Sequence, residues 1–307
     1  MKKCLSLLMA LILTMSVCAF AGAEEYQVKY AAPAGAPALA LAAILAETDE
    51  GNYQLLAADT IGTAFAADSG FDFVIAPINA GAKLFKAGKS TYRLAAVITW
   101  GNLYIASQKE NFQLADVNGG VITLFGENTI TASVVLYSLE KAGIVPAQVE
   151  YLAGAQDTQK LLGDDAEAIV VTAEPALTGA KMQKPEITAY SVQDLLKEAA
   201  GMDGYTQAGL FVREETIQAN PEVVAATLAL IQASAGLAET DVATMAAAAE
   251  QVGILPKAKV AELAIPGCSI RYVPAQEAKE ALEQTANIDL SQFGGEVPAD
   301  DFYYDAE

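Results

Sequence analysis

The sequence predicts an α/β fold of two adjacent lobes, each a mainly parallel sheet flanked by helices, with a ligand cleft between them. Three observations predict it. Short β-rich runs alternate with helical runs at βαβ spacing. Two such series follow one another, one from Tyr26 and one from about Gly120, with no long Pro/Gly/Ser linker and no repeat of fixed period. The chain has 307 residues, 53% hydrophobic and 18% charged, which is enough apolar chain for a sizeable core and too much for a disordered one.

In the first series, residues 26–31 (YQVKYA) alternate as a strand does, 32–37 (APAGAP) break the pattern, and 38–47 (ALALAAILAE) read as a helix. Residues 52–58 form a second strand, followed by Thr60, Ile61, Gly62 and Thr63 and a short helix. A third strand, 71–76 (FDFVIA), is bounded by Pro77, with Asn79 as a candidate N-cap for a helix over 80–85. Residues 93–99 and 103–107 are further strands. The second series runs strand 121–125, turn 126–129, helix 130–142 closed by Gly143, strand 149–152, short helix 156–163 and strand 168–172, which Glu174-Pro175 ends. A strand over 210–213 then returns toward the first series. Ala-rich helices over 221–237 and 240–252, a last helix over 277–284 and a polar tail ending Phe302, Tyr303, Tyr304 complete the chain. The chain is expected to cross between lobes near 105–112 and to return near 207–213. Lobe one is then 24–106 with 210–307, and lobe two is 107–209. The apolar stretch 223–237 is too short for a membrane span and contains Gln232, so it reads as a buried helix.

The first 23 residues read as a signal peptide. Lys2 and Lys3 precede an apolar run, and Ala21-Gly22-Ala23 is a small-residue cleavage site, so export with a cut near Ala23 is expected. The rival is a lipoprotein cut at Cys18, where Val17 stands in place of a small residue. Cleavage removes Cys4 and Cys18 and leaves Cys268, so no internal disulfide is expected and the core alone must hold the fold.

There are 18 Lys+Arg against 38 Asp+Glu, a formal net charge of −20, and no His. Lack of His excludes His-ligated zinc, a Ser-His-Asp triad and a His general base. The acidity argues against nucleic acid and anionic lipid as partners. No GxGxxG, P-loop, GxSxG or CxxC is present, and no metal or cofactor is expected. Asp164-Asp165 read as a solvated corner, and Asp300-Asp301 as part of the tail.

Ligands of such sheets bind outside the carboxyl ends of strands, near helix N-termini. Five strand-end loops share a small, uncharged, hydroxyl- or amide-rich character. They are 32–37, with Ala32, Pro33, Ala34 and Gly35; 60–63, with Thr60, Ile61 and Gly62; 77–79, with Pro77, Ile78 and Asn79; 99–102, with Trp100, Gly101 and Asn102; and 126–131, with Asn128, Thr129, Ile130 and Thr131. Each offers backbone N–H groups, backed by a helix dipole, to a polar or anionic group. Capping explains any one of them; five on one sheet edge point to a ligand. Trp100 reads either as an apolar wall over a flat ligand or as a core aromatic. Glu174 reads either as an acceptor for an amine-like ligand or as a helix-start carboxylate.

Several segments together resemble a known family. They are 28–43, 72–88 (DFVIAPINAGAKLFKAG), 97–105 (VITWGNLYI), 119–146 (GGVITLFGENTITASVVLYSLEKAGIVP), Glu174-Pro175, 212–225 (VREETIQANPEVVA) and the tail FGG…PADDFYY. In order and spacing they are similar to extracytoplasmic solute-binding proteins of ABC importers, in the branch covering nitrate, sulfonate, taurine and thiamine-precursor binders. The resemblance implies a type 2 periplasmic-binding-protein fold, hinged closure over a small ligand, a membrane permease as partner and a monomer. It puts Ala32 to Gly35, Thr60 to Gly62, Pro77 to Asn79, Trp100 and Gly101 against the ligand from one lobe, and Asn128 to Thr131 and Glu174 from the other. An iron-dependent pyrimidine-making relative uses its own His, which this chain lacks. The fold also hosts lyases, so an exported enzyme using Glu174 with Glu127 or Asp59 is the alternative, and a sensing or adhesion domain a third reading. The ligand reads equally as a sulfonate-, nitrate- or taurine-like anion and as a thiamine-precursor-like heterocycle.

Overall fold

The computed structural model describes residues 26–305. The expected signal segment, its cut near Ala23 and Cys18 lie outside the described residues. The strands are β1 (Tyr30–Pro33), β2 (Tyr53–Leu56), β3 (Phe73–Pro77), β4 (Tyr92–Thr99), β5 (Leu103–Ser107), β6 (Val121–Phe125), β7 (Gln148–Leu152), β8 (Ile169–Ala173), β9 (Thr188–Ser191), β10 (Ala208–Arg213) and β11 (Ile270–Pro274). The longer helices are α1 (Ile78–Lys86), α2 (Ile130–Lys141), α3 (Ala155–Asp164), α4 (Ala176–Gln183), α5 (Val192–Ala200), α6 (Pro221–Thr240), α7 (Val242–Gln251) and α8 (Ala275–Ile288).

The strands form two mixed sheets, ordered β11-β4-β10-β3-β1-β2 and β7-β6-β8-β5-β9. In the first, β1 runs parallel to β2 and β3, while β10 and β11 run antiparallel to their neighbours. In the second, β6 runs parallel to β7 and β8, and β5 antiparallel to β8 and β9. Leu103–Ser107 therefore belongs to the second sheet, where the sequence reading kept residues up to 106 in lobe one. The chain crosses at Trp100–Asn102 rather than near 105–112, and returns through residues 201–207. Alternation in LYIAS marks a strand; it does not say which sheet the strand joins.

The first sheet is covered on both faces. One face carries Leu39, Leu41, Ile75, Leu210, Ile231 and Met245. The other carries Val74, Leu94, Phe211, Leu282 and Phe302, and continues into the second lobe through Leu103, Ile130, Leu196 and Tyr205. A smaller core of Leu162, Val170, Leu177 and Ile187 fills the far face of the second sheet. The expected 38–47 helix begins as a 3₁₀ turn, Ala36–Leu41, because Pro37 sits at its start, and becomes α-helical only over Ala42–Leu45. Among the described residues α6 is long and apolar enough to cross a membrane by length and composition. Its Val224, Leu228, Ile231 and Ala235 are buried in the first core, as the sequence reading expects.

Cys268 is buried and unpaired; its thiol donates to the Ala264 carbonyl, and burial pushes its pKa well up. The thiolate is the reactive form, so burial and a raised pKa act together. In protein that begins at Glu24, a thiol reagent at neutral pH is expected to label nothing in the native state and one thiol in denaturant.

Candidate functional site

The two sheets present facing edges. In the first, β3 and β4 end beside Ala208, where β10 begins, and Ile270 at the start of β11 pairs with Thr99. In the second, β8 ends at Ala173 opposite Leu103, and β6 and β7 end together at Phe125 and Leu152. The crossings Trp100–Asn102 and 201–207 join these same edges. The carboxyl ends of the parallel strands of both sheets thus lie toward the crossings, the position where α/β sheets hold ligands.

Each predicted loop has a definite place there. Ala32 and Pro33 end β1 and are buried; Ala34 is exposed and donates to the Leu56 carbonyl. Gly35, at φ 110°, turns the chain into the 3₁₀ turn that follows. Thr60 and Gly62 are exposed, while Ile61 is buried in the core. Pro77 is the N-cap of α1; Ile78 is buried, and Asn79 lies half-buried within the first turn rather than at the cap. Asn128, at φ 58°, is exposed. Thr129 is the N-cap of α2, yet its hydroxyl turns back to the Gly126 carbonyl, so no side chain caps the N–H groups of that first turn, at half-buried Thr131 and buried Ile130.

Trp100 is placed elsewhere. Its indole N–H donates to the Arg271 carbonyl at 3.0 Å, and the Arg271 guanidinium lies 4.3 Å over its ring. The ring is 7% exposed and lines a pocket of about 240 Å³ with Gln193, Lys197, Asp203 and Arg271, on the β11 side of the hinge. No other predicted site residue lines that pocket. The Arg271 guanidinium thus covers one face of the ring, an arrangement that matches the core-aromatic reading. Gly101 is buried against the Tyr205 ring.

Glu174 takes the helix-start role. Its carboxylate accepts the Thr178 N–H and hydroxyl, each at 3.0 Å, which makes it the helix-start acceptor of α4. It also faces the other lobe: a Cβ at Gly267 would lie 3.0 Å from Glu174 Cγ and 2.8 Å from Tyr104 Oη, and Tyr104 Oη donates to the Gly267 carbonyl. Burial raises the Glu174 pKa, against the lowering effect of the Thr178 hydrogen bonds and the Lys181 charge. The folded protein therefore holds this proton more tightly than the unfolded chain. Stability from this group is greatest when it is protonated and falls as pH rises from the ordinary 4.5 through the raised folded value. Glu174→Gln keeps an acceptor for Thr178 and is expected to flatten that fall, read as urea midpoints across the mildly acidic range.

Two side-chain amides lie beside Glu174 at the crossings, Asn102 from the candidate loop and Gln207, which the sequence reading did not single out. Asn102 donates through Nδ2 to the Glu174 carbonyl at 2.8 Å, and Gln207 donates through Nε2 to Asn102 Oδ1 at 2.9 Å. The Gln207 carbonyl accepts the Ile78 N–H, so its side chain stands among the Pro77 loop, the crossing and Glu174. Asn102 belonged to a loop of the right character; Gln207 carried no local signal. Glu127 and Asp59, the partners considered for Glu174, are exposed, as are Asp164 and Asp165. Among the described residues no group of three or more His, Cys, Asp or Glu is placed to hold a metal.

No curated protein sequence matches the chain. Solved structures do. An ABC transporter protein from Parabacteroides distasonis aligns at TM-score 0.77 and 18% identity over 92% of this chain and 100% of that one. The aliphatic sulphonate binding protein SsuA from Escherichia coli aligns at 0.70 and 14%, over 92% and 93%. The nitrate-binding protein NrtA from Synechocystis aligns at 0.56 and 14%, over 92% and 85%. At these identities the likeness establishes the fold, the two-lobed periplasmic-binding-protein fold of type 2. A family model described as NMT1/THI5 like matches residues 79–241, from the first turn of α1 through the second sheet and α6. With more than half of its length matched, the chain belongs to the NMT1/THI5-like family.

Proposed function

We propose that the protein is the solute-binding component of an ABC importer: it is exported, captures a small polar molecule between its lobes as a monomer, and delivers it unchanged to a membrane permease. The observation that carries this reading is the opposition of two strand-end edges across two short crossings, with an uncapped helix N-terminus and paired side-chain amides between them. A ligand that touches both lobes favours the closed arrangement by its differential affinity. The sulphonate- and nitrate-binding neighbours support a small polar ligand. An exported enzyme is less well supported, since the buried Glu174 carboxylate is engaged by Thr178 and the acids considered beside it are exposed. Calorimetric titration with small sulfonates, nitrate and aminopyrimidines, with the probe recovered afterwards, is expected to show saturable binding without turnover. Consumption of a bound probe defeats the proposal.

Closure itself has a gauge. Tyr104 Oη and Glu174 Cγ, the atoms a Gly267 Cβ would press on, belong to the second lobe, while Gly267 leads into β11 of the first. Gly267→Val is therefore expected to hold the lobes apart. Affinity for any probe that binds the parent should fall by about tenfold, equivalent to ~1.4 kcal/mol, with little change in unfolding midpoint.

A further inference from the structure

The chain that leaves α8 touches the second lobe at two points. Asp289 Oδ2 accepts the Ser133 hydroxyl of α2 at 2.8 Å, and Gln292 Nε2 donates to the Asn128 carbonyl at 3.0 Å. Asn128 and Ser133 flank the uncapped first turn of α2, so the two bonds straddle it. The segment is seated on the first lobe. Leu290–Phe293 forms a 3₁₀ turn that packs against α1, and the carbonyl of Gly294 accepts Lys86 Nζ of α1 at 2.6 Å. One turn before Asp289, Thr285 Oγ1 accepts the Thr206 N–H of the return crossing at 3.1 Å. Residues 289–292 are thus an arm of lobe one, footed on the hinge and reaching to lobe two.

The Asp289 contact is able to open. Burial raises the Asp289 pKa, but hydrogen bonds from Ser291 and Ser133 bring it below the usual carboxylate range, so the acceptor is charged. The Ser133 hydroxyl has one proton and two acceptors, Asp289 at 2.8 Å and the Thr129 carbonyl at 3.2 Å, and the nearer, charged one takes it. When the lobes part, that proton falls back to Thr129, and Asp289 keeps the N–H and hydroxyl of Ser291. Neither group is left bare, so the bond favours the joined arrangement without welding it. Going beyond solute capture but resting on its hinged closure, we infer that Asp289 is a positioning residue: residues 289–292 are a clasp by which lobe one grips the first turn of α2 and biases the lobes toward the joined arrangement. Ser133 is its catch, and Gln292 a second, neutral point of hold. Because the grip is made by protein groups alone, it acts on the lobe equilibrium in advance of any solute, and a solute supplies only the rest of the bias.

Nitroxide labels introduced through Lys89→Cys, just past α1, and Lys141→Cys, at the end of α2, read the distance between lobes in protein that begins at Glu24, with no solute added. Both positions are exposed, and Cys268 is buried and stays unlabelled. Ser133→Ala removes the catch and leaves the arm intact. It is expected to raise the ratio of longer to shorter distances about tenfold, with little change in unfolding midpoint. Asp289→Ala is expected to do the same, and the double variant no more than either single, because both act through one bond. Asp289→Asn, which keeps an acceptor for Ser133, should recover part of the shorter population. Ser291→Ala alters the arm but not the contact and should leave the parent distances. Parent-like distances in Ser133→Ala and Asp289→Ala overturn the clasp, and so does an equal shift in Ser291→Ala, which would assign the effect to the arm's own fold. Solute capture stands or falls separately: consumption of a bound probe defeats capture, while the solute-free distances still decide the clasp.

Discussion

Gly204→Ala is expected to cost about 3–5 kcal/mol of stability, close to the whole margin of a marginal domain. Gly204 lies on the return crossing at φ 86°, where an L side chain is strained. A Cβ there would stand 2.5 Å from the Trp100 carbonyl oxygen, which is backbone and cannot rotate aside. Nor can Trp100 retreat. Its N–H donates to the Ser269 carbonyl, its indole N–H to the Arg271 carbonyl, and its own carbonyl accepts the Tyr205 N–H. Relief of the clash has to break bonds that tie the two crossings and β11 together. Gly201→Ala is the control. It sits in the same segment at φ 70°, with nothing within 4 Å of a Cβ, so only the backbone term of about 1 kcal/mol applies. Urea unfolding of both variants separates the two contributions. A Gly204→Ala loss no larger than the Gly201→Ala loss would mean that the crossings are not packed as described.

That hinge also marks where the sequence stops being informative. The strands over 71–76, 93–99, 121–125 and 168–172 are legible because they are apolar runs punctuated by Gly, Pro or polar residues, and all are buried strands in the fold. β9 (TAYS) and β11 (IRYVP) are not legible: they are short, mostly half-exposed edge strands with no clean alternation. The loops at Thr129 and Pro77 are legible because a helix N-terminus is local chemistry. Trp100 is not, since the groups that cover its ring and bind its N–H come from Arg271, 171 residues later. Gln207 is the same case. Its meaning lies in Asn102, 105 positions away, and in the Glu174 carbonyl beyond it.

Helix α1 carries the Pro77 loop, and its seat on the sheet depends on one missing methyl group. Gly81 lies in the helix interior, where Ala would ordinarily be better by about 1 kcal/mol. Here a Cβ would land on the Phe211 ring, 2.6 Å from Cε1. Phe211 is fully buried and cannot swing away, because Phe65 stacks edge-on at 5.1 Å and Phe302 at 5.9 Å. Gly81→Ala is therefore expected to cost about 2–3 kcal/mol net of the gain in helix propensity, by overpacking. Phe211→Leu alone is expected to cost about 1–3 kcal/mol, since a smaller side chain leaves part of the pocket unfilled. The two changes compensate in shape: the methyl enters the space the ring vacates. The double variant should lose at least about 1 kcal/mol less than the sum of the singles, a coupling that a double-mutant cycle reads directly. Strict additivity would show that Gly81 and Phe211 do not touch. Because α1 sets the position of Pro77 and the Ile78 N–H that binds the Gln207 carbonyl, Gly81→Ala should also weaken binding of any probe the parent holds, and the double variant should restore part of it.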